Sequence, residues 1–308
     1  MIRTQSAGAL CLFSLCLSAA LPGPASAINY TTIDNPLGTD GTVLSGVDGG
    51  NIVGTYYTSS SVSHGFLYNG STFTTIDDPL AVGTSNANGI SGGNIVGAYD
   101  DSSGQSHGFL YDGSSYTTLD DPLGVGGTLA YGISGSNIVG FYRDASNVPH
   151  GFVYDGSTYT TLDDPLGVKG TIAYGISGSN IVGTYIDATG FPHGFLYNGS
   201  TYTTIDNGVQ GTYAYGVSGS NVVGLFGDNS GLHGYFYDGT SFTTLNDPSA
   251  AFSTEAHGIS GNTIVGAYLD SSFTYHGFVT TVPEPASVAL LAIGALGLAA
   301  MLCRKARK

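Results

Sequence analysis

The fold is decided by a unit that residues 130–162 show from end to end, AYGISGSNIVGFYRDASNVPHGFVYDGSTYTTL. Four segments rich in β-branched and aromatic residues alternate with short polar stretches, which predicts four strands. Gly135-Ser136 separates the first two strands, and Asp155-Gly156 separates the last two. Asp-Gly is a strong hairpin signal, because a type I′ turn needs positive φ at both central residues. We therefore expect an antiparallel unit with a type I′ turn at Asp155-Gly156.

The same unit is repeated six times along the chain. Its most constant mark is the triplet His-Gly-Phe or His-Gly-Tyr, which recurs every 40 or 43 residues, at His64, His107, His150, His193, His233 and His276. A repeat of about 40–45 residues that holds four strands is typical of a propeller blade. We therefore predict an all-β protein, a six-bladed β-propeller with four-stranded blades.

The two ends of the repeat array predict that the propeller is closed. The segment from Tyr30 to Asp34 matches a fourth strand with no blade before it, and the segment from His276 to Val279 matches a third strand with no fourth strand after it. The N-terminal strand would then complete the last blade, and closure would remove exposed sheet edges. An open array of small β-units is the alternative.

The N-terminal residues 1–27 predict a secretory signal peptide. Arg3 precedes an apolar run over residues 9–21, and Ala25-Ser26-Ala27 is a small-residue cleavage site for signal peptidase. The alternative is an uncleaved anchor, although the apolar run is short for a membrane span. The predicted propeller domain then covers residues 28–281.

The C-terminal residues 282–308 predict a second targeting segment. Residues 286–303 are uncharged and just long enough for a transmembrane helix, and the basic tail 304–308 follows at once. Basic residues stay on the cytoplasmic side, so the propeller is expected on the other side of the membrane. Pro283-Glu284-Pro285 stands directly before the apolar run. A plain tail anchor is the alternative.

The order of Pro-Glu-Pro, apolar helix and basic tail resembles the PEP-CTERM sorting signal. The resemblance implies a bacterial protein that exosortase recognises, with removal of the helix and release or attachment at the cell surface. It also implies an association with exopolysaccharide-producing bacteria. Separately, residues 30–281 resemble the extracellular HAF repeats, with Gly in place of Ala in every triplet, for example at Gly65 and Gly151. That family supplies no activity to carry over to particular residues.

The charge and cysteine content narrow the class of protein further. Residues 28–281 hold 21 acidic residues against only Arg143 and Lys169, which excludes the clustered basic residues that nucleic-acid binding needs. The three cysteines all lie in the targeting ends. An exported domain without disulfides has to be stabilised by its core alone.

The six triplet histidines are the first candidates for a functional site, since they could bind a metal. Histidine commonly binds metals, but no second ligand stands two or four residues away from any of the six. On a third strand they would also lie away from the axis. We therefore expect a structural role, with each imidazole bonded to a loop backbone. His257 differs, because it stands on the presumed inner strand and could line a central channel.

Paired carboxylates after the fourth strand are the second candidates. They occur at Asp77-Asp78, Asp120-Asp121 and Asp163-Asp164. Ca²⁺ takes six to eight oxygen ligands, which acidic loops can supply. However, Asp before Pro also forms Asx-turns that end strands. We expect no cofactor, with Ca²⁺ as the alternative.

The six-fold repetition argues against an enzyme, since an active site is singular. We predict an exported, exosortase-sorted protein of the cell surface or extracellular matrix, a non-catalytic scaffold or binding module for polysaccharide or matrix proteins. The alternatives are a periplasmic or surface hydrolase with its active site in the propeller channel, and a purely structural envelope protein.

Overall fold

A computed structural model describes residues 28–58, 62–207 and 210–282, which fold into 24 β-strands. These ranges contain no helix long and apolar enough to cross a membrane. The predicted cleavage site at Ala25 and Ala27, the motif Pro283-Glu284-Pro285 and the helix over residues 286–303 lie outside the described residues.

The strands form six blades, each of which is built from an inner strand at the axis to a fourth strand at the rim. Blade 1 contains β2 (Gly41–Asp48), β3 (Asn51–Tyr57), β4 (Ser63–Tyr68) and β5 (Phe73–Thr75). Blade 2 contains β6 (Ser85–Ser91), β7 (Asn94–Asp100), β8 (Ser106–Tyr111) and β9 (Tyr116–Leu119). Blade 3 contains β10 (Thr128–Ser134), β11 (Asn137–Arg143), β12 (Pro149–Tyr154) and β13 (Tyr159–Leu162). Blade 4 contains β14 (Thr171–Ser177), β15 (Asn180–Ile186), β16 (Pro192–Tyr197) and β17 (Tyr202–Ile205). Blade 5 contains β18 (Thr212–Ser218), β19 (Asn221–Asp228), β20 (Gly231–Tyr237) and β21 (Phe242–Leu245). Blade 6 contains β22 (Ser253–Ser260), β23 (Thr263–Leu269), β24 (Tyr275–Thr281) and, as its fourth strand, β1 (Tyr30–Thr32).

The last blade confirms the predicted closure. The N-terminal strand β1 pairs antiparallel with β24, with Tyr30 opposite Thr280 and Thr32 opposite Phe278. The Thr280 hydroxyl donates to the Asn29 carbonyl oxygen at 2.7 Å. The Tyr30 and Phe278 rings also meet edge to face, with centroids 5.3 Å apart. The propeller is therefore closed by residues from the two ends of the folded domain.

The core lies between neighbouring blades rather than at one centre. Between blades 2 and 3, for example, Val96 and Leu119 pack against Ile138, Tyr142 and Phe152. The third strand of every blade contributes one fully buried aromatic residue, and these are Phe66, Phe109, Phe152, Phe195, Tyr235 and Phe278. The apolar residues on both faces of each strand are thus explained by burial between two sheets.

The hairpins between third and fourth strands are present, but the predicted type I′ turn is wrong. Tyr154 pairs with Tyr159 across a four-residue connection. Gly156 has a φ of 100°, whereas Asp155 is not among the residues with positive φ. The Asp155 carboxylate instead accepts the N–H groups of Ser157 and Thr158, both at 2.8 Å. The residue at this position therefore serves as a side-chain acceptor that caps the turn, a role that Asn69 and Asn198 fill in two other blades.

The antiparallel blades give the propeller two different faces. The loop face carries the connections from second to third strands and those from a fourth strand to the next blade. The turn face carries the two tight turns of each blade. Residues 135–136 and 155–158 belong to the turn face, and residues 144–148 and 163–170 belong to the loop face.

Candidate functional site

The propeller axis holds a cavity of about 300 Å³ that the inner strands surround. Every blade contributes to it, and the lining residues are Val43, Ser45, Asn88, Tyr131, Tyr174, Tyr215 and His257. We call this space the axial cavity. His257 lies in its wall, as the sequence suggested, whereas the sequence pattern alone did not single out the three tyrosines as candidates.

A β-bulge places one residue of each inner strand at this cavity. In β10 the pairing with β11 shifts between Ala130 and Gly132, so Tyr131 is the extra residue. The same shift leaves Tyr174 and His257 extra in their strands. Bulges often re-aim a side chain beside a functional site. Here six equivalent bulges present six side chains to one axis.

Four of these side chains form a continuous aromatic arc. Tyr131 and Tyr174 meet edge to face, with centroids 5.1 Å apart and planes at 79°. Tyr174 and Tyr215 repeat the contact at 5.0 Å and 76°, and Tyr215 and His257 repeat it at 5.3 Å and 72°. Perpendicular neighbours are a favoured aromatic geometry, so the arc is a preformed wall.

The wall also carries hydroxyl groups that are available to a ligand. Tyr131, Tyr174, Tyr215 and Ser45 line the cavity, and their hydroxyls have no hydrogen-bond partner among the described residues. Burial raises the pKa of Tyr131, and it raises the pKa of Tyr174 well above its ordinary value. Burial, followed by the Glu255 carboxylate, also raises the pKa of Tyr215. The phenols are therefore neutral hydrogen-bonding groups.

A half-buried pair of hydrogen-bonded side chains, Glu255 and His257, breaks the six-fold symmetry beside the cavity. His257 Nδ1 donates to the Leu44 carbonyl oxygen of blade 1 at 3.0 Å, and His257 Nε2 lies 3.3 Å from the Glu255 carboxylate. Burial raises the pKa of Glu255, but the hydrogen bond and charge of His257 outweigh it and hold the pKa below its ordinary value. The Ser253 and Tyr275 hydroxyls also donate to this carboxylate. Glu255 therefore fixes the position of His257.

Six glycines form a collar directly after the bulges: Gly46, Gly89, Gly132, Gly175, Gly216 and Gly258. Each packs on the glycine of the next blade; a Cβ on Gly132 would lie 3.2 Å from the Gly175 Cα and 2.7 Å from the Tyr174 carbonyl oxygen. The inner strands approach so closely here that only glycine fits without movement of the backbone. The Gly-Ile-Ser segment of each repeat thus sets the diameter of the axis.

The triplet histidines lie on third strands, away from the axial cavity, and their partners are side chains. Each Nδ1 bonds the residue 13 positions later, as His150 does to Asp163 at 2.8 Å and His193 to Asp206 at 2.7 Å. The equivalent pairs are His64–Asp77, His107–Asp120, His233–Asn246 and, across the closure, His276–Asp34. The expected backbone partner is therefore wrong, because the side chain of the first Asp or Asn after each fourth strand reaches the imidazole.

Within each acidic pair the two carboxylates point to different partners. Asp120 bonds His107, whereas Asp121 is buried and accepts the Leu123 N–H at 2.9 Å. Asp78 and Asp164 repeat the second arrangement with Leu80 and Leu166. Across the described ranges no three His, Cys, Asp or Glu side chains are grouped to hold a metal ion. We therefore assign these Asp residues to hydrogen bonding of the loops.

Stability is expected to depend on pH through the histidines. Although burial lowers the pKa of His193 and His276, their two carboxylate neighbours raise it above 6.5 overall. The stabilisation is then complete below pH 6.5 and is lost as pH rises through the raised pKa. Hydrogen bonds, first from the Thr189 hydroxyl, lower the pKa of Asp187 below 3.8, so its contribution is lost as pH falls below about 4.

The melting temperature should therefore be highest between about pH 4 and 6.5 and fall towards pH 8.5. Differential scanning fluorimetry across this range measures the effect. The double variant His193→Gln/His276→Gln should show a smaller fall on the alkaline side. A melting temperature that rises from pH 5.5 to 8.5 would contradict the assignment.

Comparisons with known proteins concern the C-terminal sorting segment and the propeller fold. Residues 281–305 match the PEP-CTERM protein-sorting motif, which confirms the sorting signal. The sequence matches no curated protein. The fold is similar to the six-bladed β-propeller of the Aleuria aurantia lectin, at 15% identity and a TM-score of 0.50 over 78% of this chain and 91% of the lectin. It is also similar to TolB from Acinetobacter baumannii, at 14% identity and a TM-score of 0.52 over 75% of this chain and 64% of TolB.

At these identities the likeness shows the fold alone. The chain is thus an exported, surface-directed protein with a six-bladed β-propeller and a C-terminal PEP-CTERM sorting signal.

Proposed function

We propose that this protein is a non-catalytic glycan-binding module of the cell surface, and that its binding site is the axial cavity. Signal peptidase would remove residues 1–27, and exosortase would process the C-terminal segment that carries the sorting motif. The ligand class is extracellular polysaccharide, in keeping with the resemblance to sorted proteins of exopolysaccharide-producing bacteria. The resemblance to HAF repeats remains a prediction.

The observation that carries the proposal is the composition of the axial cavity. Sugar rings present apolar C–H faces and a rim of hydroxyls, so they are recognised by aromatic walls together with neutral hydrogen-bonding groups. The arc of Tyr131, Tyr174 and Tyr215 offers both at once. A volume of about 300 Å³ lies at the lower end of the range for ligand pockets and suits one or two sugar residues.

Binding is a better interpretation than catalysis because of how the acidic residues are used. Most glycosidases need two carboxylates that flank the bond to be cleaved. Glu255 is the acid beside the aromatic arc, and its carboxylate already accepts bonds from His257, Ser253 and Tyr275. A hydrolase is the second candidate, because the Glu255–His257 pair is singular in a repeated protein.

A glycan array probed with residues 28–282 tests the proposal, since this fragment contains every strand of the closed propeller. Tyr174→Ala removes the middle of the arc and should weaken binding of any positive glycan by at least about tenfold. Tyr174→Phe keeps the aromatic ring and loses only the hydroxyl, so a smaller decrease is expected. Leu123→Ser, on the loop face outside the axial cavity, is the matched control and should bind normally.

Two results would overturn the proposal. The first is a positive glycan whose binding Tyr174→Ala leaves unchanged, which would place the site elsewhere. The second is release of reducing sugar that Glu255→Gln abolishes, which would establish the hydrolase instead.

A further inference from the structure

We propose that the loop face docks a second ligand, a polypeptide segment that is both basic and amphipathic. The residues that carry this proposal are different from those that line the axial cavity. It would give the exported propeller a protein partner at the cell surface.

The first observation is that exposed apolar side chains are confined to one face. Leu123 and Val125 are 60% and 65% exposed, and Phe273 is 71% exposed. Every large hydrophobic side chain that is exposed in the described ranges stands on the loop face: Leu37, Leu80, Val82, Leu123, Val125, Leu166, Val168, Phe191, Leu232, Phe252 and Phe273. Single exposed apolar residues are ordinary on a protein surface, whereas exposed apolar patches mark interaction sites. Here the exposed residues share one face and include pairs two positions apart, such as Leu123 and Val125.

The exposed leucines are held in place rather than left on loose loops. The buried Asp121 carboxylate accepts the Leu123 N–H at 2.9 Å, and the Gly124 N–H donates to the Asp121 carbonyl oxygen at 2.8 Å. The loops at Leu80 and Leu166 have the same carboxylate bond. Phe252 and Phe273 also stack on each other, with centroids 4.4 Å apart. Such preorganisation lowers the entropy cost of binding.

Charge identifies the kind of partner. The loop-face connections also carry carboxylates, at Asp40, Asp77, Asp101, Asp120, Asp144, Asp163 and Asp187. The domain has two basic residues apart from histidine, Arg143 and Lys169. Both lie on the loop face, where the carboxylates outnumber them. A partner that covers this face must bring positive charge together with apolar side chains, while a second copy of the same face would be repelled.

The position of the chain end argues against a lipid surface as the occupant. The Val282 N–H donates to the carbonyl oxygen of Asn262, a residue of the turn face, at 3.1 Å. The sorting segment therefore starts on the turn face, and an anchored molecule would point its loop face away from its own membrane. The acidic residues would also be repelled by anionic lipids.

The test uses a fluorescent 14-residue peptide made of Leu and Lys in an amphipathic helical pattern, titrated into residues 28–282 and followed by anisotropy. We expect saturable binding that weakens between 50 and 300 mM NaCl, because salt screens exposed charges. The same peptide with Glu in place of Lys should not bind. The variant Leu80→Ser/Leu123→Ser/Leu166→Ser should bind at least about tenfold more weakly. The matched turn-face variant Ser136→Ala/Ser179→Ala/Ser220→Ala should bind normally.

Several outcomes would overturn the proposal. They are no binding of the Lys peptide, equal affinity for the loop-face and turn-face variants, or stronger binding of the Glu peptide. Docking to phosphatidylglycerol vesicles through the three leucines would replace the partner with a membrane. A dimer in light scattering that the leucine variant abolishes would replace it with a second copy. Circular dichroism checks that both variants are folded.

Discussion

Deletion of residues 28–34 is expected to lower the melting temperature of the propeller by roughly 10–20 °C. The deletion removes β1 and therefore the Tyr30 and Thr32 pairings with β24. It also removes the Ile33 N–H bond to the Gly277 carbonyl oxygen at 2.8 Å and the Asp34 bond to His276 at 2.7 Å. Each lost hydrogen bond contributes about 0.5–1.5 kcal/mol, and each buried side chain about 1.5–3 kcal/mol. The free energy of unfolding should fall by about 5 kcal/mol. For a domain of this size, each kcal/mol lowers the melting temperature by about 2–4 °C.

The missing strand should also stabilise the deletion variant when it is supplied as a separate peptide. A synthetic peptide of residues 28–36 added to the deletion variant should raise the melting temperature with peptide concentration, because it binds only the folded state. A peptide with Tyr30→Ala and Ile33→Ala should have little effect, since it lacks two of the three side chains that pack on the core, of which Ile28 is the third. A deletion variant as stable as the intact domain would show that closure is not needed.

Gly140→Ala is expected to destabilise the domain by about 3–5 kcal/mol, which lies at the severe end for a single substitution. Gly140 belongs to the Ile-Val-Gly segment of its repeat and pairs with Ala130 of β10. A Cβ at this position would overlap the Leu129 carbonyl oxygen and lie 2.9 Å from the Phe152 Cζ. The clash is with the backbone of β10 and with a fully buried aromatic residue, so no flexible side chain can give way.

Gly50→Ala is the matched control for this variant. Gly50 lies on the turn face, its φ is not positive, and a Cβ there would have no atom within 4 Å. Its effect on the free energy of unfolding should stay within about 0.5 kcal/mol, as for other surface substitutions. Chemical denaturation of both variants measures the difference. A Gly140→Ala domain of unchanged stability would contradict the packing between β10 and β11.

The blade could be predicted from sequence because it leaves marks in every repeat, and the closure because it leaves marks at the two ends of the repeat array. The spacing of the His-Gly-Phe triplets sets the period, and the surplus strand after Tyr30 matches the strand missing after Val279. The turn type was wrong because Asp155 contributes a side-chain acceptor, which the dipeptide rule does not consider. The partner of His150 was missed because Asp163 is 13 residues away and reaches it only through strand pairing.

The axial cavity was harder to predict, since a bulge changes the side to which a strand residue points. If side chains simply alternated between the two faces of a strand, the faces of Tyr131 and Tyr174 would follow from counting every second residue. The register shift between Ala130 and Gly132 instead turns Tyr131 towards the axis. A usable signal was nevertheless present. This position is Ser45, Asn88, Tyr or His257 in different blades, although the residues on either side hardly change. Variation at one position of a constant repeat is what a binding site requires.

The most direct test of the central claim, that the axial cavity is the binding site, is NMR of the domain with ¹³C-labelled tyrosine rings. A glycan identified on the array is titrated in, and the ring resonances are followed. Those of Tyr131, Tyr174 and Tyr215 should shift together, while Tyr154 and Tyr197 on the third strands stay unchanged. Saturable glycan binding that leaves the three axial tyrosines unmoved would contradict the claim.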